Sequence, residues 1–527
     1  MEKYKLSMRL LLFIFSQLIF SPTLLSQSFT SGLDSPIIPL TSNYNENIEW
    51  ENVFTDGNAG KVNSGLVDSE GNIALIFMPY NESRIHKING NTGERIWTKT
   101  VNNTVGFGIT EINDSNRIDY ILSGGISDTQ ERWIARLNGD DGTIIWSKVY
   151  NYTGNRYEFD GIKKTIIGSD GYIYGAGFVG ADEKGTVFIV YGGHAIIMKI
   201  DPNDGNEIWT HLNESKEYAV ALVESNDGSL FYGSTEYDED LSLTKLDKNG
   251  SEFWTRELTN TTDIIPYDLN LSIHNSLYFG GHRSRNTVGE SFDYSVIRLD
   301  LEAKINWIKH YANPRGYSLN YIRNELYCLK SDSIGIYLFG GTGDENDNYS
   351  KENPPFTSSD IWNGWVLITD WDGNILRSDV FSHIESGEKH GVMTATECGS
   401  ITNNGYVIFN DTDAYGDTEV GVMKIRLPET LSNQSVDFQI RNYTLSQNYP
   451  NPFNPSTQIQ YTLPEATQVA LEVFNVVGQK IIELVNGQQS AGYHTTTFDA
   501  SGLSSGVYLY KLTTPSFAET KKMLLIK

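Results

Sequence analysis

One phrase recurs along most of this chain and constrains what it can fold into. An alternating apolar run meets a polar turn closed by glycine, and a tryptophan follows four residues after that glycine. The clearest copy spans 85–97, IHKINGNTGERIW. The strand before the turn occurs seven times, at 85–88, 133–137, 196–200, 242–246, 295–299, 365–369 and 421–425. Five copies continue to a tryptophan: Trp97, Trp146, Trp209, Trp254 and Trp307. Gly93, Gly142, Gly205 and Gly250 precede the first four, and Ala303 takes that place in the fifth. The sixth copy keeps Gly373 but has Arg377 where the tryptophan is expected. Successive tryptophans from Trp97 stand 49, 63, 45 and 53 residues apart. Strand–turn–strand self-similarity at about 40–50 residues means propeller blades.

Each repeat supplies four strands, in the third at 161–167, 172–176, 194–200 and 207–211. The first turn carries a glycine after polar residues (SEGN, SDGY, NDGS), which supplies positive φ cheaply. The seventh copy has no fourth strand, because 423–427 runs directly into Pro428. An open sheet edge invites aggregation, so the missing strand must come from elsewhere. Residues 47–54, NIEWENVF, carry Trp50 and have no repeat before them. They are expected to complete the seventh blade beside 423–427. The expected fold is all-β: a seven-bladed propeller over 47–428, a polar linker at 429–442 and a small Ig-like β-sandwich at 443–527.

Residues 1–26 read as an export signal, with Lys3, Lys5 and Arg9 before an apolar run too short to span a bilayer. Residues 27–46 are an N-terminal extension. No other stretch is apolar and long enough to cross a membrane. The formal net charge is −26 over 527 residues. The last segment carries equal numbers of acids and lysines, so the excess lies on 27–442. Such a field repels polyanions and argues against nucleic acid as a partner. The protein is expected to act as a monomer.

The C-terminal segment alternates as strands at 458–463, 469–475, 506–512 and 522–526. Its motifs are YPNPFNPST at 449–457, VFNVVGQKI at 473–481, LSSGVYLYKL at 503–512 and the basic TKKMLLIK at 520–527. Together they resemble the type A sorting domain of the type IX secretion system of Bacteroidota and relatives. The resemblance implies that Tyr449, Pro450, Asn451, Pro452, Phe453, Lys521, Lys522 and Lys527 form a sorting signal. It also implies that the secretion machinery is a partner and that the destination is the cell surface or the medium. The repeat resembles the tryptophan-docking phrase of pyrroloquinoline-quinone-type propellers. The quinoprotein enzymes of that family have eight blades and adjacent cysteines, which have no counterpart here.

Strands in a blade alternate in direction, so second-turn loops and blade connections share one face. Loops there are long at 177–193, 281–294 and 340–363, and binding usually lives on such variable loops. Oxygen clusters suit calcium, and two acidic stretches offer them: Asp411, Asp413, Asp417 and Glu419, and Asp344, Glu345 and Asp347. Either is otherwise a solvated acidic loop. No other cofactor is indicated. Trp362, Trp365, Tyr317, Arg283 and Arg315 are candidates for a ligand face. Cys328 and Cys398 occupy the same repeat position, seven residues before the first-turn glycines Gly335 and Gly405. They can form a disulfide between blades if their Cα atoms approach within about 7 Å, and otherwise are buried thiols. The expected function is non-catalytic binding of a glycan or a surface protein. The alternative is a polysaccharide-acting hydrolase or lyase, which would need converging carboxylates of raised pKa in the central funnel.

Overall fold

The computed structural model describes residues 47–55, 61–79, 81–114, 117–151, 159–181, 192–236, 239–284, 292–312, 322–344, 362–381, 383–385, 389–390, 394–412, 419–428, 431, 443–445, 448, 451–463, 465–489 and 492–526. Residues 1–46, where the export signal and the extension are expected, and most of 429–442 lie outside them. The described regular structure is β throughout. From 48 to 426 the described strands make five separate four-stranded sheets, one eight-stranded sheet and a two-stranded ribbon of Ile384–Glu385 with Lys389–His390. The eight-stranded sheet divides into two four-stranded halves joined by a parallel bridge, Phe292 to Arg323. We number the resulting seven four-stranded units in chain order. Their inner strands are Lys61–Val67, Thr104–Asp114, Phe159–Ile167, Tyr218–Glu224, Ile264–Leu271, Ile322–Ser331 and Thr394–Thr402. Each touches the next in cyclic order, and the seventh touches the first, so the ring closes.

Burial follows from position in the ring. A second strand such as Ile73–Met78, IALIFM, is sandwiched between neighbouring units on both faces and is apolar almost throughout. An outer strand such as Arg95–Asn102 has one face on solvent, and its exposure alternates with the two-residue side-chain period. The core is continuous across units. One cluster joins Val62, Leu75 and Phe77 of unit 1 to Tyr406, Phe409 and Val422 of unit 7.

Unit 7 is completed by the N-terminal strand. Ile48–Phe54 pairs antiparallel with Glu419–Arg426, with Trp50 opposite Lys424 and Phe54 opposite Val420. Glu49 adds ion pairs to Lys424 at 3.2 Å and Arg426 at 2.6 Å.

The tryptophans hold the seams between units. Trp50 Nε1 donates to the Gly90 carbonyl of unit 1 at 3.2 Å, Trp97 to Gly139 of unit 2 at 3.0 Å, Trp146 to Pro202 of unit 3 at 2.9 Å and Trp209 to Lys248 of unit 4 at 3.1 Å. Each indole lies on the glycine of the neighbour's third turn. A Cβ on Gly93 would sit 2.7 Å from the Trp50 ring, and one on Gly142 would sit 3.0 Å from Trp97. Gly93 and Gly142 also hold φ near +73° and +71°. The glycine of the repeated phrase therefore serves the preceding unit's tryptophan, not the one that follows it in sequence. The sixth copy's arginine follows from the same geometry. Unit 7 has no third turn, because its third and fourth strands come from opposite ends of the propeller segment. An outer-strand tryptophan in unit 6 would have no glycine to meet.

The C-terminal segment forms two sheets. One orders Thr444–Leu445, Ser456–Leu463 and Gly492–Asp499; the other orders Lys480–Gln489, Thr467–Asn475, Gly506–Thr513 and Ala518–Leu525. They enclose a core that includes Phe453, Ile459, Leu471, Tyr510 and Met523. Asn451 and Phe453 of the YPNPF motif clip the last strand. Leu524 N–H donates to Asn451 Oδ1 at 2.8 Å, Phe453 N–H to the Leu524 carbonyl at 2.9 Å, and Ile526 N–H to the Phe453 carbonyl at 3.0 Å. Lys521 and Lys522 sit on that strand opposite Tyr510 and Leu509. Tyr449, Pro450 and Lys527 lie outside the described residues.

Candidate functional site

Every inner strand carries a β-bulge at the same place. The register slips around Asn63, Phe107, Lys163, Val220, Tyr267, Tyr327 and Glu397. A bulge leaves one residue outside the ladder and re-aims its side chain, and bulges concentrate beside functional sites. Repeated seven times around an axis, this one makes a ring of residues freed from β-pairing. The ring lies towards the N-terminal ends of the inner strands, the end that bears the second-turn loops and unit connections.

Below the ring is an axial cavity of about 520 Å³, lined by residues from all seven inner strands. Asn63, Tyr327 and Glu397 of the bulge ring contribute to its wall, as do Lys164, Asp268 and Lys330. Lys164 pairs with Asp268, whose other oxygen accepts the Leu329 N–H at 2.9 Å. Tyr327 donates its hydroxyl to Glu325 and meets Tyr267 edge-on at 5.1 Å. Tyr267 in turn stacks on the buried His282 at 4.9 Å.

Glu397 is the unusual member. It is 5% exposed, and its Oε2 has no hydrogen-bond partner. Burial pushes its carboxyl well above the ordinary range, and the negative charges of Asp411 and Glu325 push the same way, against Lys61. Burial also raises Asp411 to about 7, although the Val62 N–H at 2.7 Å and Lys61 favour its charged form. Burial thus favours the uncharged acid at Glu397, a form that can both donate and accept a hydrogen bond.

Several sequence-based candidates fall elsewhere. Trp365 cannot face a ligand: it is 0% exposed, packs against Tyr294 with ring centroids 4.3 Å apart and donates Nε1 to Ser378. Arg283 lies 3.7 Å from the fully buried Asp293, and its side chain is 15% exposed, so pairing and not display is its role. Trp362 covers Gly341 and Gly343, where a Cβ would meet its ring at 2.9 and 2.8 Å. Tyr317 and Arg315 lie outside the described residues.

Of the proposed calcium residues, only Asp411, Glu419 and Asp344 fall within the described residues. Asp411 and Glu419 are both buried at paired strand ends, and Asp411 spends its carboxylate on the seam with unit 1. Burial that favours the protonated carboxyl of Asp411 disfavours calcium, since the ion needs charged oxygens. Asp344 belongs to the strand Ile336–Asp344, in register with Ile322. Asp413, Asp417, Glu345 and Asp347 lie outside the described residues. Among the described residues no three His, Cys, Asp or Glu side chains group as metal ligands. The long loops also begin later than the sequence suggests: second strands continue to Ala181, Ser284 and Asp344, because Phe159 and Ile322 of inner strands pair with the first and last, and Phe292 of a third strand pairs with the second.

Cys328 and Cys398 are free thiols with sulfurs 3.1 Å apart, on adjacent inner strands and on the cavity wall. A disulfide bond is about 2.05 Å, so the pair is juxtaposed but not joined. Both follow their bulge by one residue. That shared column was the only sequence signal leading to the bulge ring. No residue preference marks it, since asparagine, phenylalanine, lysine, valine, tyrosine and glutamate all occupy it.

Comparison with known proteins agrees with this architecture. Residues 447–527 match the family described as secretion system C-terminal sorting domain. Residues 81–272 match a pyrroloquinoline-quinone-type repeat family described as outer membrane protein assembly factor BamB. The chain thus carries a type IX sorting domain behind a PQQ-like propeller. The sorting domain marks proteins exported to the cell surface or beyond. No curated protein matches the chain. Among solved structures, Raptor of Chaetomium thermophilum is similar at 12% identity with a TM-score of 0.44, over 73% of this chain and 30% of that one. The chain thus spans under a third of Raptor's length. Kuenenia stuttgartiensis hydrazine synthase is similar at 12% identity with a TM-score of 0.46, over 71% of this chain and 97% of that one. Among the described residues no helix is long and apolar enough to cross a membrane.

Proposed function

We propose that this is an exported, monomeric, seven-bladed propeller that binds an uncharged, hydroxyl-rich ligand, the end of a glycan chain, at the axial cavity without turning it over. The observation that carries the reading is the convergence of Asn63, Tyr327 and Glu397 on one polar cavity of about 520 Å³. A hydroxyl-rich ligand would satisfy the unpartnered oxygen of Glu397, which is costly to bury unsatisfied. Lys164 is neutralised by Asp268, and the chain's charge of −26 disfavours anionic polymers. The test is a glycan array with the purified protein, followed by titration of any hit. Glu397→Gln keeps the acid's shape while Glu397→Ala removes it. Binding is expected to fall at least tenfold in Glu397→Ala and Tyr327→Phe/Glu325→Ala variants. Unchanged affinity in all of them would refute the axial site.

One observation favours a second reading. Glu397, a buried acid of raised pKa on the cavity wall, has the character of the general acid in glycan hydrolysis. In that case Glu397→Gln abolishes release of reducing ends but retains binding.

A further inference from the structure

We propose that Cys328 and Cys398 are an oxidisable pair that closes to a disulfide across the seam between units 6 and 7, by exchange with a disulfide-bearing oxidant.

Two independent features of the fold point to the pair. The first is juxtaposition. The sulfurs are 3.1 Å apart although the residues are 70 apart in sequence. Both stand one residue past their bulge, on inner strands that touch, so neither backbone has to move far. A bond of about 2.05 Å requires the sulfurs to close by only about 1 Å. The second is location. Units 6 and 7 meet at the seam that lacks a tryptophan on a neighbouring turn. There Arg377 pairs with Asp379, and Tyr406 donates to Asp379 at 3.0 Å. A covalent link at the inner end reinforces the seam that the repeat leaves without its tryptophan.

The surroundings also make one sulfur a nucleophile. Lys164 and Lys330 line the same cavity. The contact with Cys328 holds the Cys398 thiol down to about 6 against the effect of burial, and Lys330 and Lys164 pull the same way. That contact and burial push Cys328 up. Cys398 as thiolate attacks one sulfur of the oxidant's disulfide, forms a mixed disulfide and expels a thiolate. Cys328 then loses its proton and attacks Cys398 Sγ, expelling the second thiolate. Two thiols become one disulfide, and the oxidant leaves as two thiols. An exported chain meets compartments where such oxidants persist.

The experiment equilibrates the purified protein with reduced and oxidised glutathione at graded ratios, then traps thiols with a maleimide in denaturant. Both thiols are expected to disappear together in one two-electron transition. The intact mass should fall by two hydrogens, one peptide pair should join Cys328 to Cys398, and Tm should rise by several degrees. Constraining a loop of this length stabilises chiefly through the unfolded chain. Cys398→Ser should abolish the Tm increment while leaving the reduced protein's Tm near its starting value. Persistence of both thiols at every ratio would overturn the proposal. So would capture of glutathione on a single cysteine, or a disulfide-linked dimer.

Discussion

The seam between units 1 and 2 and the seam between units 6 and 7 solve the same packing problem differently. At the first, Trp97 lies on Gly142 and donates to Gly139, so one flat side chain and one bare turn do the joining. At the second there is no turn to lie on. The joining passes to the Tyr406 hydroxyl of unit 7, which reaches Asp379 beside Arg377 on unit 6's outer strand, and to the facing cysteines on the inner strands. A repeat can encode a seam only where both partners are whole repeats. The unit completed by the two ends of the ring must be joined by residues particular to it.

The largest test of this contrast is removal of residues 47–54. The deletion opens unit 7, exposes Glu419–Arg426 as an edge and leaves Gly93 without Trp50. Cooperative thermal unfolding is expected to disappear, because the loss approaches the whole stability of an ordinary domain, about 5–15 kcal/mol. A melt that stays cooperative at the original Tm would break the account of closure. Next, Arg377→Trp restores the repeat's own residue. It should nevertheless destabilise by roughly 3 kcal/mol, since it leaves Asp379 buried without its cation and has no glycine to meet. Denaturant titration measures this, and a gain in stability would show that the repeat, not the seam, sets the preference. Trp97→Ala should cost roughly 2–3 kcal/mol, less than a fully buried tryptophan because the ring is only half-buried.

The mildest intervention is a change of pH, which alters no residue. Burial raises Asp411 to about 7 from an ordinary 3.8, so between those values the unfolded chain releases a proton that the folded chain keeps. Stability from this group is therefore full below about pH 4 and declines as pH rises towards 7, by up to roughly 1.4 kcal/mol per unit of difference. Glu397 acts in the same direction. Asp411→Asn should flatten that slope in chemical denaturation at pH 4.5 and pH 7. An unchanged slope would mean that Asp411 is ionised in the folded state.

Much of this was legible in the chain. Two-residue alternation, turn glycines and a phrase recurring with its tryptophan identify a propeller, because strand period and turn conformation are local properties. The same counting led to Trp50 and the closing strand, since a seventh copy without a fourth strand leaves one place for it. The motifs at 449–457 and 520–527 identify the sorting domain as a linear signature, and the structure adds that Asn451 and Phe453 hold its last strand. The candidate site was much less legible. Trp365 and Arg283 read as ligand-facing because they flank variable loops, yet adjacent units bury one and pair the other.

Local chemistry therefore decided the strands, the turns, the closing segment and the export route. Only the assembled ring decided which unit each glycine serves, why Arg377 replaces tryptophan, where seven bulges bring Asn63, Tyr327 and Glu397 together, and that two cysteines 70 residues apart meet at 3.1 Å. The reason is physical. Strand and turn preferences act within a few residues, whereas these relations arise between neighbours in the ring, and the contacts between unit 7 and unit 1 exist only once the ring has closed.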